Sequence, residues 1–356
     1  MKIVSIVGAR PQFIKAAPVS TALRRQHQEL LLHTGQHYDD NMSRVFFDEL
    51  GIPRPDINLG IGSDSHARQT AAMMIGVEQY LQQERPDLVL VYGDTNSTLA
   101  GAIAASKLHI KIGHVEAGLR SFNRAMPEEI NRIVADKIAD LLFCPTATAV
   151  NNLTNEGIIN GVYNIGDVMY DAALQFAPIA EQKSHILDRL KLEPKNYLLL
   201  TLHRAENTDS FDNLKAILTA ILQSKERIVF PVHPRTVKFL KQYQLDQPIE
   251  QADHVLVIEP VSYIDMIVLE KNAKKILTDS GGVQKEAYFY HVPCITLRQE
   301  TEWVETVADG WNCLVGADVE KILAAIENFS PNGKQQAHYG DGKASEKLVA
   351  VLNNIF

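Results

Sequence analysis

Short apolar runs of strand length alternate with longer segments of helical periodicity from one end of the chain to the other. This alternation is typical of parallel sheets with helices on both faces. In the first half, the runs predict strands at 2–7, 29–33, 87–92, 110–115, 140–143 and 162–165. After a polar, helical stretch at 167–194 the pattern starts again, with strands at 196–202, 227–232, 254–258, 274–278, 293–297 and 312–315. We therefore predict an α/β protein with two Rossmann-like, doubly wound domains.

The sequence predicts two helices between strands and one at the end of the chain. One helix is predicted from 67 to 84, ended by Pro86, and another from 127 to 139, with Pro127 at its first position. In the second of these, the spacing predicts an apolar face formed by Ile130, Ile133, Val134 and Ile138. A last helix at about 344–356 follows the turn-rich residues 339–342.

The restart of the strand pattern after 167–194 predicts where the domains begin and end. We assign 1–168 to an N-terminal domain, 169–338 to a C-terminal domain and 339–356 to a final helix. In doubly wound sheets, ligands bind outside the carboxyl ends of the strands. Two such domains facing each other predict a ligand cleft between those ends.

Composition agrees with two cores, since the chain has 356 residues of which 46% are hydrophobic. A net charge of −8 gives no basic footprint for nucleic acid or for an anionic membrane, and no apolar run approaches the ~20 residues of a membrane span. Cys144, Cys294 and Cys313 form no C-x-x-C pair, so we expect reduced core cysteines in a cytoplasmic protein. The strand at 2–7 leaves no room for a signal peptide.

The segment TDSGGVQKE at 278–286 is the strongest indication of a ligand, because a strand leads through two glycines into a helix. Glycines let the backbone approach a ligand closely, and a helix start offers unpaired N–H groups to a phosphate. Glu286 lies one turn beyond Gly282, where its carboxylate can accept hydrogen bonds from ribose hydroxyls. These features predict a nucleotide site. The alternative is a helix capped by Ser280 or Asp279 with glycines for packing.

Charged residues also follow the first strand, in GARPQFIK at 8–15. Arg10 is predicted in a loop and Lys15 about one turn into the next helix, where both can reach a diphosphate. Two solvated cations at an ordinary helix start are the alternative. Neither a G-x-G-x-x-G dinucleotide fingerprint nor a P-loop motif is present.

Three carboxylates are predicted at one edge of the first sheet. Asp94 and Glu116 each follow a strand, and Glu128 opens the helix at 127–139. Clustered carboxylates raise one another's pKa values, which suits general acid and base catalysis. Individually, Asp94 could cap a helix, Glu128 could complement a helix dipole, and Glu116 could pair with Arg120 or Arg124.

Histidines and an arginine follow two strands of the second half. His203, beside Arg204, is a candidate proton carrier or a donor to a leaving phosphate, because histidine titrates near neutrality. His233 is a candidate at the phosphates, although a structural histidine satisfying loop carbonyls is an open alternative. No H-E-x-x-H or Cys/His cluster predicts a metal site.

Six segments together carry a resemblance to a known family. They are GARPQFIK at 8–15, VYGDTNSTLAG at 91–101, GHVEAGLRS at 113–121, MPEEINR at 126–132, TLHRAEN at 201–207 and TDSGGVQKEA at 278–287. As a set they resemble the non-hydrolysing UDP-N-acetylglucosamine 2-epimerases. The resemblance implies a glycosyltransferase B-type fold, a UDP-sugar in the interdomain cleft, a C-terminal helix that crosses back to the first domain, and a homodimer.

The resemblance also implies a reaction. UDP-N-acetylglucosamine and UDP-N-acetylmannosamine are interconverted at C2 by elimination of UDP to 2-acetamidoglucal and readdition, without a metal or organic cofactor. It implies acid and base roles for Asp94, Glu116 and Glu128, without saying which is which, and a role for His203 at the leaving diphosphate. UDP binding is expected at Arg10, Lys15, Ser280, Gly281, Gly282 and Glu286, and we add Arg204 and His233 as strand-end candidates.

The chain departs from well-known bacterial members at four places. Trp303 replaces an arginine expected near the nucleotide, Met266 replaces an aromatic residue near the uracil, and the loop at 121–126 is shorter. Residues 36–40 replace a segment that helps to bind an activating UDP-sugar in regulated members, so the resemblance implies no allosteric site here. These variants also resemble archaeal epimerases and the branch that acts on UDP-2,3-diacetamido-2,3-dideoxyglucuronate, an alternative substrate.

Three other functions are compatible with a UDP site. A glycosyltransferase of the same fold would share the glycine-rich segment, but it needs at most one base near its acceptor. A hydrolysing epimerase would release free UDP. A UDP-sugar sensor would have no use for three carboxylates.

Overall fold

The computed structural model describes residues 1–35 and 53–356, and it divides into two compact units. The first unit comprises residues 1–175 and 337–356, and the second comprises residues 176–336. Each unit contains one parallel sheet.

The sheet of the first unit has seven strands in the described part of the chain, in the order β3-β2-β1-β4-β5-β6-β7. All of its pairs are parallel. The strands are β1 (Lys2–Val7), β2 (Gln28–His33), β3 (Ile57–Asn58), β4 (Leu88–Tyr92), β5 (Lys111–Val115), β6 (Leu141–Cys144) and β7 (Val162–Asn164). The helices described here are α1 (Arg10–Leu23), α2 (His66–Glu84), α3 (Asn96–Lys107), α4 (Pro127–Ile138), α5 (Ala147–Asn155) and α6 (Val168–Lys183), which runs into the second unit.

The second sheet has six parallel strands in the order β10-β9-β8-β11-β12-β13. They are β8 (Leu198–Thr201), β9 (Ile228–Pro231), β10 (Val255–Ile258), β11 (Lys275–Thr278), β12 (Cys294–Thr296) and β13 (Asn312–Leu314). The helices are α7 (Ile186–Leu190), α8 (Ala205–Thr208), α9 (Phe211–Gln223), α10 (Pro234–Gln242), α11 (Asp246–Glu250), α12 (Tyr263–Asn272), α13 (Gly281–Phe289), α14 (Val304–Ala308) and α15 (Val319–Asn328).

Each sheet is the centre of its unit's core. In the first unit, Val4 and Ile6 of β1 and Val89 and Val91 of β4 are fully buried in one apolar cluster. The second unit has an equivalent cluster around the leucines of β8. Central strands that are apolar at every position have both faces covered, as expected of doubly wound sheets. The strand ends are therefore where polar side chains gather.

The last helix, α16 (Ala344–Ile355), packs in the first unit against α1. Its N-terminus is capped by α6, because Asp171 accepts hydrogen bonds from the backbone N–H groups of Ala344 and Ser345 at 3.0 and 2.7 Å. At its other end, Asn353 donates to the side chain of Gln26 at 2.6 Å.

All twelve predicted strands are present, with ends shifted by one or two residues. The two-residue strand β3 was not predicted, because a run of that length has no apolar period to detect. In the described part of the chain, no helix is long and apolar enough to cross a membrane.

The apolar face predicted for α4 is only partly buried. Ile138 packs against the apolar cluster of the first unit. Ile130 is exposed, and Ile133 and Val134 are only half-buried. The residues that α4 buries are largely polar, namely Glu129, Asn131, Arg132, Ala135 and Asp136. Asn131, Arg132 and Asp136 have partners from distant parts of the chain. Burial of charged groups is tolerated when they are paired.

Candidate active site

The turn between β1 and α1 is fixed by Gln12, whose side chain is 1% exposed. Its Oε1 accepts from the N–H groups of Gly8 and Ala9 at 2.9 and 3.0 Å, and its Nε2 donates to the carbonyl of Tyr92 at 2.7 Å. A Cβ at Gly8 would lie 2.1 Å from Oγ of Ser97, so only glycine fits. The first turn of α1 is thereby pinned to the end of β4.

Arg10 does not lie in a loop as predicted. It is the first residue of α1, because Ala9 takes the extended conformation of a helix cap and proline follows in the first turn. Its side chain is half-buried.

Lys15 makes an ion pair with Glu116, and the two side chains are only 11% and 5% exposed. Lys15 is therefore not a solvated cation. The backbone of Glu116 has φ of +73°, a left-handed conformation that non-glycine residues rarely adopt. A Cβ at Gly93 would lie 3.2 Å from Oε2 of Glu116, so this carboxylate sits against the turn that leads into Asp94. Strain of this kind persists where the surroundings determine a side chain's direction.

Asp94 is held by α4. Its Oδ2 accepts from Nη2 of Arg132 at 2.5 Å, and its carbonyl accepts from Nδ2 of Asn131 at 2.8 Å. Asp94 does not cap the next helix, whose N-cap is Thr95. Arg132 also donates to Glu129 at 2.9 Å. The Asp94 side chain remains 27% exposed and open to a ligand.

The structure thus brings Lys15, Glu116 and the Gly93–Asp94 turn together, and ties Asp94 to α4. Glu128 lies in the first turn of that same helix and is half-buried. The residues predicted at this sheet edge therefore come from three neighbouring elements. Glu116 pairs with Lys15, whereas Arg120 pairs with Asp136 and Glu156.

A buried charged cluster beneath this edge was not predicted. His114, fully buried in β5, lies between Asp136, 2.7 Å from Nδ1, and the carbonyl of Gly93, 2.7 Å from Nε2. Arg120 also donates to Asp136 at 2.7 Å. Burial alone would raise the pKa of Asp136, but His114 and Arg120 outweigh it and hold the pKa of that carboxyl below its ordinary value. The motif GHVEAGLRS contains two of these residues, but only the fold shows that they meet Asp136.

In the second unit, α13 begins at Gly281 directly after β11, as the nucleotide prediction requires. Ser280 occupies the N-cap position without a side-chain cap hydrogen bond. Glu286 is 6% exposed, and its Oε1 accepts from the hydroxyl of Tyr263 at 3.0 Å. Burial and the neighbouring Glu286 raise the pKa of Tyr263, which keeps its hydroxyl a donor.

Asp279 organises the loop after β8, a role that the sequence did not reveal. Its fully buried carboxylate accepts from the backbone N–H groups of His203 and Arg204 at 3.1 and 2.9 Å, and from Asn207 at 3.1 Å. It therefore acts as a loop brace and not as a cap of α13. This brace places Arg204 beside the start of that helix, since a Cβ at Gly281 would lie 3.9 Å from its Nη2.

His203 and His233 lie side by side, with ring centroids 5.4 Å apart. Burial is the main influence that lowers the pKa of His203, and the nearby cations Arg204 and Arg235 add to it, against an opposing effect of Asp279. His233 caps α10, where its Nδ1 accepts from the N–H of Arg235 at 3.1 Å. This capping bond gives His233 a structural role at the start of α10.

Trp303 lies next to the glycines of α13, since a Cβ at Gly281 would lie 3.3 Å from its indole Nε1. The ammonium of Lys285 lies over the indole, 4.0 Å from the ring centroid. Both side chains are nearly fully buried. Met266 is a half-buried residue of α12.

The last two predictions concern a metal site and the segment at 36–40. Across 1–35 and 53–356, no group of three or more His, Cys, Asp or Glu side chains could hold a metal ion. Residues 36–40, discussed above for allosteric activation, lie outside the described residues.

Comparison with known proteins identifies the family. The family model for UDP-N-acetylglucosamine 2-epimerase matches residues 21–353. The chain is 59% identical to a UDP-N-acetylglucosamine 2-epimerase homolog of Methanococcus maripaludis over the full length of both chains. It is 47% identical to the UDP-2,3-diacetamido-2,3-dideoxy-D-glucuronate 2-epimerase of Pseudomonas aeruginosa, over 99% of each. A crystal structure of UDP-GlcNAc 2-epimerase from Methanocaldococcus jannaschii, in complex with UDP-GlcNAc and UDP, matches with a TM-score of 0.94 and 46% identity, covering 99% of this chain and 100% of that one.

This chain belongs to the UDP-N-acetylglucosamine 2-epimerase family. The resemblance inferred from the six segments is confirmed, and so is the predicted α/β fold with two parallel, Rossmann-like sheets of the glycosyltransferase B type.

Proposed function

We propose that this protein interconverts UDP-N-acetylglucosamine and UDP-N-acetylmannosamine by inverting C2 of the sugar. The observation that carries the proposal is the Lys15–Glu116 ion pair set against the turn of Asp94. It combines a cation and two carboxylates at the end of a sheet, where such folds bind ligands. Family membership supplies the reaction class.

Chemistry explains why carboxylates are needed. The C2 proton is barely acidic, because its neighbour is an acetamide nitrogen and not a carbonyl carbon. When the C1–O bond to UDP breaks, positive charge develops next to C2, and a base can take the proton as 2-acetamidoglucal forms. Reprotonation on the opposite face and return of UDP to C1 complete the inversion. The enzyme therefore needs one base and one acid on opposite faces of C2.

We assign these proton transfers to Asp94, Glu116 and Glu128. Asp94 is oriented by Arg132, and Glu116 is oriented by Lys15, so two of the three carboxylates are held by cations. A carboxylate fixed by its neighbours loses less entropy on reaching the reactive geometry.

We assign UDP binding to the start of α13 and its surroundings. The helix N-terminus and Arg204 offer positive potential to phosphate oxygens, and Glu286, oriented by Tyr263, can accept from ribose hydroxyls. His203 donates to the leaving diphosphate. We further propose phosphate contacts for His233 of the second unit and, separately, for Arg10 and Lys15 of the first.

The test is product analysis after incubation with UDP-N-acetylglucosamine. We expect a mixture of the two UDP-HexNAc epimers at equilibrium, without net release of free UDP. Net accumulation of UDP would indicate hydrolysis, and an unchanged substrate would exclude this sugar.

A second substrate is supported by the relatives. The diacetamido-glucuronate epimerase of Pseudomonas aeruginosa and the UDP-GlcNAc epimerase of Methanocaldococcus jannaschii are equally similar to this chain, at 47% and 46% identity. The same incubation with UDP-2,3-diacetamido-2,3-dideoxyglucuronate separates the two specificities. Epimerisation of the uronate alone would replace our first choice.

We also propose a homodimer. Ile75 on α2 and Ile130 on α4 are 58% and 37% exposed, and both helices pack against α3. Apolar side chains exposed on neighbouring helices favour association with another copy. Light scattering after size exclusion should show a dimer that Ile75→Asp dissociates. Ile159→Asp, at a residue that is 70% exposed elsewhere in the unit, should leave the dimer intact. A wild-type monomer would contradict the proposal.

The cytoplasm is the proposed location. Cys144 and Cys294 are buried, Cys313 is half-buried, and none of the three forms a disulfide, which suits a reducing compartment. Fractionation of source cells, with the protein in the cytoplasmic fraction as the expected result, tests this.

A further inference from the structure

The side chain of His114 lies between two groups that accept hydrogen bonds. Nδ1 is 2.7 Å from Oδ1 of Asp136, and Nε2 is 2.7 Å from the carbonyl oxygen of Gly93. The imidazole is fully buried. A neutral imidazole has one N–H and one lone pair, so it can satisfy only one of these two partners.

Neither partner can reverse its role. A backbone carbonyl carries no proton. Oδ2 of Asp136 accepts from the N–H of Gly118 at 3.1 Å and from the guanidinium of Arg120 at 2.7 Å, and the pKa of Asp136 lies below its ordinary value, so this group is a carboxylate. Both acceptors are satisfied only if each ring nitrogen of His114 carries a proton, which would make the side chain an imidazolium.

The charges around His114 are consistent with a cation there. Asp136 on α4 is the group in contact with the ring, and it is shared with Arg120, which pairs in turn with Glu156 on α5. The ion pair between Lys15 of α1 and Glu116 of the loop after β5 lies on the other side of the Gly93 turn. Cys144 of β6, which the field of Asp136 reaches, adds no charge, because burial raises the pKa of its thiol. With His114 charged, His114, Arg120 and Lys15 face the carboxylates of Asp136, Glu156 and Glu116.

We propose that His114, as a buried imidazolium clamped by Asp136, is a positioning residue that fixes Asp94 and Glu116 relative to each other. The inference rests on the proposed function, which makes these two carboxylates the acid and base groups. His114 holds the carbonyl of Gly93, whose φ of +62° sets the direction in which the chain enters Asp94.

The same ion pair reaches the second carboxylate. Asp136 accepts from the N–H of Gly118, two residues after Glu116. One buried ion pair thus connects the turn after β4 with the turn after β5. Errors of about 1 Å in such a geometry can lower a rate by about 10²-fold, even when the altered residue does not touch the substrate.

The protonation of His114 is tested on the unliganded wild-type protein by ¹⁵N NMR of the imidazoles at about pH 7.5, where an ordinary histidine is mostly neutral. We expect directly bonded protons on both nitrogens of His114, with the signal assigned through His114→Gln. A single bonded proton would overturn the inference. This result does not depend on activity, so it is separate from any failure of the proposed function.

Kinetics tests the positioning role. For His114→Gln we expect kcat to fall about 10²-fold, with KM and the Kd for UDP within about 3-fold of wild type. His109→Gln, an exposed histidine just before β5, is the matched control and should behave as wild type. An unchanged kcat, or a KM that rises as much as kcat falls, would contradict the role. If both His114→Gln and His114→Asn fail to fold, His114 serves stability of the unit and not positioning.

Discussion

Arg132 donates a hydrogen bond of 2.5 Å to Asp94, and this contact ties a proposed catalytic carboxylate to the buried polar face of α4. The same guanidinium, 4% exposed, also bonds Glu129 at 2.9 Å. One buried cation therefore pairs with two carboxylates.

Replacing this cation should be costly. For Arg132→Met we expect the free energy of unfolding to fall by about 3–5 kcal/mol, because the buried carboxylate of Glu129 would lose its cationic partner and keep only neutral donors. Urea denaturation measures the change. Arg124→Met, an exposed arginine in the preceding loop, is the control and should fall within ~0.5 kcal/mol of wild type. An equal effect of the two changes would show that the ion pair contributes little.

Asp94→Asn should abolish exchange of the C2 hydrogen while leaving the Kd for UDP within a few-fold. The amide keeps the size of the side chain and can still contact Arg132, but it cannot take or give the proton. Exchange is followed by NMR and UDP affinity by calorimetry. Asp87→Asn, exposed and bonded to the backbone N–H of Lys2, is the matched control. A large loss of UDP binding in Asp94→Asn would assign Asp94 a structural role instead.

The Lys285–Trp303 contact predicts that the two residues cannot be changed independently. Trp303→Arg restores the arginine expected in this family, but it brings a second cation to within about 4 Å of the buried Lys285, which should cost about 3 kcal/mol of stability. Adding Lys285→Glu should recover much of that loss. A double-mutant cycle on unfolding free energies measures the coupling. Additive effects would mean that the contact is energetically neutral.

Tyr263→Phe tests the proposed ribose site. Without the phenolic hydroxyl, the Glu286 carboxylate loses a donor that orients it. We therefore expect UDP to bind about 10-fold more weakly, with kcat within a few-fold of wild type. Calorimetric titration with UDP gives the affinity. The control is Tyr243→Phe, which removes a hydroxyl bonded to the carbonyl of Asp209 in the same unit. Unchanged UDP affinity in Tyr263→Phe would place the ribose elsewhere.

His203 should be neutral at pH 7, since burial lowers its pKa from the ordinary value of 6.5. Between its folded-state pKa and 6.5, the unfolded chain binds more protons, so this residue makes stability rise with pH over that window. NMR titration of the ring should give a midpoint below 6.5, and His203→Asn should flatten the stability profile in the same window. A midpoint above 6.5 would contradict the expected environment.

Much of the fold follows from the sequence because each predicted strand is centred on a short, largely apolar run. Strands such as β4 are covered on both faces, so a continuous apolar run marks them. Glycine at 281 and the preceding strand likewise predict the start of α13. These features depend on residues that are neighbours in sequence.

The polar interior could not be predicted in the same way. Local periodicity predicted an apolar face on α4, but the helix also buries Arg132 and Asp136, whose partners Asp94 and His114 lie 38 and 22 residues away. The brace formed by Asp279 is similar, since it bonds the backbone of His203, 76 residues away. Only the sheet topology brings these segments together.

The most direct test of the account is incubation of the wild-type protein with its UDP-sugar in D₂O, followed by ¹H NMR of C2. Elimination and readdition require the C2 proton to leave and a solvent deuteron to replace it, so we predict deuterium at C2 in both epimers. Epimers that keep their C2 hydrogen, or no exchange with either UDP-N-acetylglucosamine or the diacetamido uronate, would contradict the proposed reaction.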